Sequence, residues 1–284
     1  MHFPNLNPVL VQIGPFAIRW YALAYVATIL LGWRYAAGLV KNARLWAYRA
    51  PPATGEQIDD LILWLTLGVI VGGRLGHVIF YTPSMIWTNP VEILETWKGG
   101  MSFHGGAIGV LVAGFAFART KNINPLSLGD VIVAAEPIGG FLVRIANFVN
   151  GELWGRPTTV PWGMVFPDAG PEPRHPSQLY EAALEGIVMF LLLRWATHNR
   201  KWLNRPGVIM GLFLAGYGLI RISLENVREP DSYMPHFPLG LTMGMMLSAP
   251  MVVAGAVLIW RGLRQPLPAP LPATAQAEAA HEPS

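Results

Sequence analysis

The stretch Val143-Arg144-Ile145-Ala146-Asn147-Phe148-Val149-Asn150-Gly151-Glu152-Leu153-Trp154-Gly155-Arg156 closes an apolar run that starts at Asp130 and is long enough to cross a bilayer. A cation at that depth is costly unless something repays it. On a helix Arg144 and Asn147, three residues apart, share a face. Gly151 and Gly155 break the helix and let backbone come close to a ligand. The stretch reads as a membrane helix that ends in the floor of an anion site.

The composition around it agrees. Of 284 residues 52% are apolar and 13% charged, with a mean hydropathy of +0.38, too apolar for one soluble domain of this length. With 0 Cys there is no disulfide, thiolate metal site or cysteine nucleophile, so any sulfur in the chemistry belongs to a substrate. The formal charge of +3 is read as basic loops on one side of a membrane, and no nucleic-acid partner is expected.

Apolar stretches of spanning length number seven: residues 17–40, 58–81, 101–118, 130–150, 177–197, 208–224 and 241–260. The expected fold is all-α, a polytopic bundle of seven transmembrane helices. Gly68, Gly72 and Gly76, four apart in the second span, read as a close-packing seam. Lys41, Arg44, Arg49, Arg119, Lys121, Arg194, Arg200, Lys201, Arg205, Arg261 and Arg264 end or follow the odd-numbered spans. The alternate loops hold only Lys98, Arg156, Arg174 and Arg228. That bias puts the amino terminus outside and the carboxyl terminus inside. The start of the chain lacks a signal-peptide pattern, so the first span is expected to stay. Residues 1–264 form the membrane domain, and the proline- and alanine-rich residues 265–284 read as a disordered cytoplasmic tail.

Besides Arg194, which ends the fifth span, five arginines lie within the apolar stretches. Arg19 and Arg34 are near span ends and can snorkel. Arg74 is expected in a structural ion pair with an acid such as Asp60, Glu136 or Glu225. Arg144 and Arg221 together point to a site, with Glu225 one turn after Arg221 on the same face. Tyr21, His104, Arg144 and Arg221 fall at similar depth on the outer side. His104, followed by Gly105 and Gly106, fits a general base beside those cations or else a satisfied core histidine. No HExxH or His/carboxylate cluster supports a metal site, and no G-x-S-x-G elbow supports a serine hydrolase. A site of cations, amides and glycines suits a phosphate whose charge grows as it leaves. In Arg174-His175-Pro176-Ser177-Gln178-Leu179-Tyr180-Glu181, Pro176 and Ser177 start a helix, while His175, Gln178, Tyr180 and Glu181 either order the loop from Gly155 to Pro173 or touch a lipid headgroup. A transporter or flippase for an anionic lipid is the rival reading of arginines in glycine-broken spans, although no internal repeat is visible.

Ile18-Arg19-Trp20-Tyr21, Gly72-Gly73-Arg74, Gly100-Met101-Ser102-Phe103-His104-Gly105-Gly106, the Arg144 to Arg156 stretch, Arg174 to Glu181, and Gly216-Tyr217-Gly218 followed by Arg221, Glu225 and Arg228-Glu229-Pro230-Asp231 occur in that order. In this the chain resembles the phosphatidylglycerol–prolipoprotein diacylglyceryl transferases, nearly up to Leu263. The resemblance implies a seven-span enzyme of the bacterial inner membrane, its site toward the periplasm. Such an enzyme moves diacylglyceryl from phosphatidylglycerol to the lipobox cysteine of a preprolipoprotein and releases glycerol 1-phosphate. Its partners are then phosphatidylglycerol, preprolipoproteins and membrane lipids, with no cofactor and no metal. It also implies importance for Tyr21, His104, Arg144, Asn147, Glu152, Gly155 and Arg221. His104 is the expected base, with Tyr21 the alternative. Arg144 and Arg221 stabilise the leaving phosphate, and Asn147 and Glu152 orient headgroup hydroxyls or the arginines. Val143 and Ala146 stand where the family usually has glycine, and the loop between Phe166 and Arg174 is short for it.

Overall fold

The computed structural model describes residues 1–4, 6–14, 16–229 and 241–272. It opens on an antiparallel hairpin, β1 (Val9–Ile13) and β2 (Phe16–Arg19). This departs from the all-α expectation and delays the first helix: Ala17 to Arg19 pair with β1, so α1 runs Trp20–Lys41. Strands of 5 and 4 residues leave no mark on a hydropathy window sized for a membrane span.

The remainder is mainly helical. Helices α2 (Gly55–Tyr81), α4 (Phe103–Thr120), α5 (Pro125–Asn150) and α9 (Met243–Arg264) join α1 as the 5 described helices long and apolar enough to cross a membrane. A short α3 (Met85–Thr88) lies between α2 and α4. The expected fifth span is composite: α6 (Ser177–Glu181), a π-helical stretch (Ala182–Val188) and α7 (Met189–His198) follow without a break. The sixth, α8 (Val208–Leu224), has 17 residues. Leu63 and Leu111, 61% and 71% exposed, face outward as lipid-facing side chains do.

Local chemistry sets the helix ends. Thr54 and Gln57 form a reciprocal capping box, which starts α2 before its first apolar residue. Asn124 caps α5 ahead of Pro125, and Gly151 ends it in the left-handed conformation at φ 69°. Asp130, buried in α5, accepts the N–H groups of Gly207 and Met210 at 2.7 Å each and so caps α8 from a neighbouring helix.

Glycine governs the α2–α4 contact. A Cβ on Gly109 would lie 1.9 Å from the Gly68 carbonyl oxygen, and one on Gly72 would lie 2.4 Å from that of Gly105. The two backbones touch, as in small-residue membrane seams. Helix α1 lies antiparallel along α5, with Thr28 over Gly139 and Tyr25 in electrostatic reach of Arg144.

Arg74 corrects an expectation. It makes no ion pair among the described residues: its guanidinium donates to the carbonyls of Ile93 (2.9 Å), Gly99 (2.7 Å), Gly100 (3.1 Å) and Glu92 (2.5 Å). Asp60 instead pairs with Lys121 at 3.0 Å and Glu225 with Arg221. Peptide dipoles replace a carboxylate because the loop before α4 folds back over the end of α2. Residues 265–272 form neither helix nor strand, yet Leu271 N–H donates to the Ala47 carbonyl at 3.0 Å. The rest of the expected tail, 273–284, and Pro230 and Asp231 lie outside the described residues.

Candidate active site

Four segments meet where α5 and α8 end and α1 and α6 begin. Arg144 Nε lies 2.6 Å from Glu181 Oε2, off the line of a hydrogen bond, and its Nη2 lies 3.6 Å from Glu185 Oε2. Glu181 Oε1 takes a bond from Arg228 Nη1. Arg228 Nε is 3.9 Å from Glu225 Oε1, which Arg221 Nη2 approaches to 2.6 Å. The order Glu185, Arg144, Glu181, Arg228, Glu225, Arg221 is a chain of alternating charge. Such alternation repays the desolvation of each member.

The π-helical stretch supports that order. Glu181 immediately precedes it and Glu185 lies within it, and both carboxylates turn to the same guanidinium. Gly186 lets the stretch close on α5, since a Cβ there would stand 2.6 Å from Phe141 Cβ. Tyr217 lies in the electrostatic reach of Glu185, Arg144, Glu136 and Arg221, so the ring of α8 borders the same cluster.

An amide set adjoins it. Asn147 Nδ2 donates to Glu152 Oε1 at 2.7 Å, and Asn150 Nδ2 reaches the same oxygen at 3.4 Å. Gln178 Nε2 donates to the Glu152 carbonyl at 2.6 Å. Each amide spends its N–H on the chain and keeps its oxygen: Asn147 Oδ1, Asn150 Oδ1 and Gln178 Oε1 are buried with no hydrogen bond among the described residues. Arg221 Nη1 is likewise a buried donor without a partner. Three free acceptors and a free cationic donor therefore share one region. Unmet groups of this kind are costly in a folded protein and mark a ligand's place.

The expected residues fall into three groups. Arg144, Arg221 and Glu225 are joined by the charge chain, and Asn147 and Glu152 by their own bond. Tyr21 is one step away: its Oη is 3.3 Å from that of Tyr25, and Tyr25 is in reach of Arg144 and Glu152. His104 is on the first turn of α4, exposed, with its ring against Phe103 and, among the described residues, no hydrogen bond or ion pair to these groups. Gly155 is filled from its own chain, since a Cβ there would meet the Val227 carbonyl at 2.3 Å and His175 Cβ at 2.8 Å. Its requirement for glycine comes from that approach of backbone. Glu185 and Tyr25 are the partners that reading each span alone passed over.

The loop after α5 is tied down around this region. Arg174 stacks on Trp154 at 4.3 Å and donates to Gly155 O at 3.2 Å and Glu229 Oε2 at 3.0 Å. Tyr180 Oη lies 3.2 Å from His175 Nδ1 and accepts the Trp162 indole N–H at 2.6 Å. His175 and Tyr180 thus order the loop, while Gln178 and Glu181 point their polar ends into the site. Burial holds the His175 imidazole below its ordinary 6.5, because a buried ring disfavours the charged form.

Residues 8–261 match the family model described as prolipoprotein diacylglyceryl transferase. The phosphatidylglycerol–prolipoprotein diacylglyceryl transferase of Phenylobacterium zucineum is 62% identical over 98% of this chain and 99% of its own. Proteins of the same name from Caulobacter sp. strain K31 and Nitrobacter hamburgensis are 54% and 53% identical. Those alignments cover 95% and 93% of this chain, and 98% and 92% of theirs.

Proposed function

The chain belongs to the prolipoprotein diacylglyceryl transferase family, and we propose from that premise how its site works. The protein is a membrane transferase that moves the diacylglyceryl group of phosphatidylglycerol to the lipobox cysteine of a preprolipoprotein. The observation that carries the site assignment is the set of free groups beside the charge chain: a guanidinium N–H on Arg221, and amide oxygens on Asn147, Asn150 and Gln178. Phosphatidylglycerol complements them group for group. Its phosphate accepts and its headgroup hydroxyls donate.

In the reaction the thiol sulfur attacks the glyceryl carbon that bears the phosphate ester. The S–C bond forms, the C–O bond breaks, and the electron pair stays on the phosphate oxygen of departing glycerol 1-phosphate. A free thiol with a pKa near ~8.5 is only slightly ionised at neutral pH, so its proton must be taken. His104, exposed on the first turn of α4, is the base, and Tyr21 positions the acceptor end of the site with Tyr25. The growing phosphate charge draws on Arg144 and Arg221, whose carboxylate partners loosen as the phosphate takes their place. The site uses no cofactor or metal.

The wider architecture follows. Seven crossings are counted when α8 and the composite helix from Ser177 to His198 are added to the five long helices. The amino terminus and the site face the periplasm, and the protein resides in the bacterial inner membrane. Residues 1–264 carry the reaction, with the segment from 265 onward as a cytoplasmic tail.

The test uses purified protein, phosphatidylglycerol and a lipobox peptide. Cysteine should gain the mass of one diacylglyceryl group, and a Cys→Ser peptide none. Lipid movement across a vesicle with no thioether formed would favour the transporter reading.

A further inference from the structure

A cavity of about 700 Å³ lies between α1 and α7, far from the charge chain. Because α1 and α5 are antiparallel, the distance from Tyr25, beside Arg144, to Lys41 at the cavity's end is sixteen residues, about 24 Å at 1.5 Å per residue. The cavity therefore opens at the opposite membrane face.

Its lining changes along that axis. Leu31 and, from α5, Ile138 make an apolar inner part, and Arg34, Lys41, Arg194 and His198 gather toward the helix ends. No carboxylate lines it. Among the described residues Arg34, Lys41 and Arg194 form no ion pair. The acid beside it, Asp59, accepts the Trp33 indole N–H at 2.6 Å. Tyr35 Oη is buried and lies within electrostatic reach of Arg194. Three cations at one mouth repel one another unless an anion joins them. At the same end Arg200 lies over the rings of Trp195 and Trp202, at 5.7 and 5.4 Å, the aromatic and basic pairing of a headgroup layer.

We propose that this cavity is a second lipid site, which holds one anionic phospholipid of the leaflet opposite the Arg144 site. The phosphate sits among Arg34, Lys41 and Arg194, and an acyl chain lies along Leu31 and Ile138. Charge selects the headgroup, and the apolar inner part separates a lipid from a soluble phosphate. The occupant seals the α1–α7 cleft and takes no part in the transfer.

The test is native mass spectrometry of the full chain in zwitterionic detergent, titrated with phosphatidylserine, phosphatidylcholine or glycerol phosphate. Phosphatidylserine should add at least one lipid that phosphatidylcholine does not, and glycerol phosphate should not compete for it at equal concentration. Arg34→Gln with Arg194→Gln should weaken that addition at least tenfold. Gly38→Leu supplies the second arm. Gly38 lines the cavity and a Cβ there meets nothing within 4 Å, so the helix tolerates the change while leucine fills the space and the cations stay. It too should lose the lipid, and both variants should keep wild-type unfolding temperature in lipid-free detergent. Equal binding of the two phospholipids, or wild-type affinity in either variant, would overturn the proposal. Glycerol phosphate displacing the lipid would also overturn it, by reducing the site to an anion site.

Discussion

At the scale of single residues, the alternating charges make the two central arginines unequal. Arg144 answers two carboxylates, whereas Arg221 answers one and keeps a free N–H. Loss of one electrostatic donor to a developing oxyanion costs about 2.7 to 4 kcal/mol of transition-state stabilisation, roughly 10² to 10³ in turnover. Arg144→Gln and Arg221→Gln should both show that loss. Arg144→Gln should also lower the unfolding temperature, since stranding a buried carboxylate costs about 3 to 5 kcal/mol, and adding Glu185→Gln should restore part of the stability without the activity. Equal stability of the two single variants would refute the assignment of partners. His104 is tested separately: His104→Gln should lose about 10² to 10⁴ in rate. The loss should shrink as pH rises toward the thiol's own ionisation near ~8.5, and a pH-independent deficit would remove His104 from the base role. The sequence made Arg144, Arg221 and Glu225 legible because a cation in an apolar run stands out and i,i+4 pairs lie on one face. An acid inside a span is as costly as an arginine, so Glu185 stood out as much as Arg144 did; what the sequence hid was its partner. Its pairing with Arg144 joins two helices, and no local spacing records that.

At the scale of elements, the helices were legible from hydropathy and their seam from glycines four apart, but the hairpin and the π-helical stretch were not. Ala182-Ala183-Leu184-Glu185-Gly186-Ile187-Val188 carries no mark that distinguishes a π from an α turn; packing of Gly186 on Phe141 accompanies the difference. The α2–α4 seam gives a graded prediction. Gly109→Ala puts a methyl where only 1.9 Å separates it from a carbonyl oxygen, and Gly32→Ala meets nothing within 4 Å. The first should destabilise by about 1 to 3 kcal/mol through overpacking and reduce activity, as α4 carries His104. The second should leave both unchanged, and unfolding in detergent measures the contrast. The loop before α6 responds to acid instead. His175 is held below 6.5 in the folded loop, so the unfolded loop binds its proton first as pH falls. The stability that His175 contributes is present above about pH 6.5 and is lost as pH drops through its lowered value. Protection factors for hydrogen exchange at the Met164 and Arg174 amides, which bond to each other's carbonyls, should fall across that window, and His175→Asn should flatten the change.

At the scale of the whole molecule, the two ends of the helical bundle differ in how charge is held. Arg144, Arg221 and Arg228 at one end are matched by their own carboxylates, while at the other Arg34, Lys41 and Arg194 are not. A matched network can sit at membrane depth without an anionic lipid beside it, whereas unmatched cations favour an anionic cytoplasmic leaflet, which agrees with the orientation proposed above. The composite helix from Ser177 to His198 links the two ends. Its 22 residues reach about 33 Å at α-helical rise, enough for a hydrocarbon core of about 30 Å. Whether it crosses decides both the count of seven and the orientation. The chain has 0 Cys, so one introduced thiol reports without background. Thr159 and Asn199 are exposed in the loops before and after this helix. In spheroplasts a membrane-impermeant maleimide should label Thr159→Cys directly and Asn199→Cys only after permeabilisation. The reverse order would invert the topology, and labelling of both before permeabilisation would mean that residues 177–198 return to the side they left.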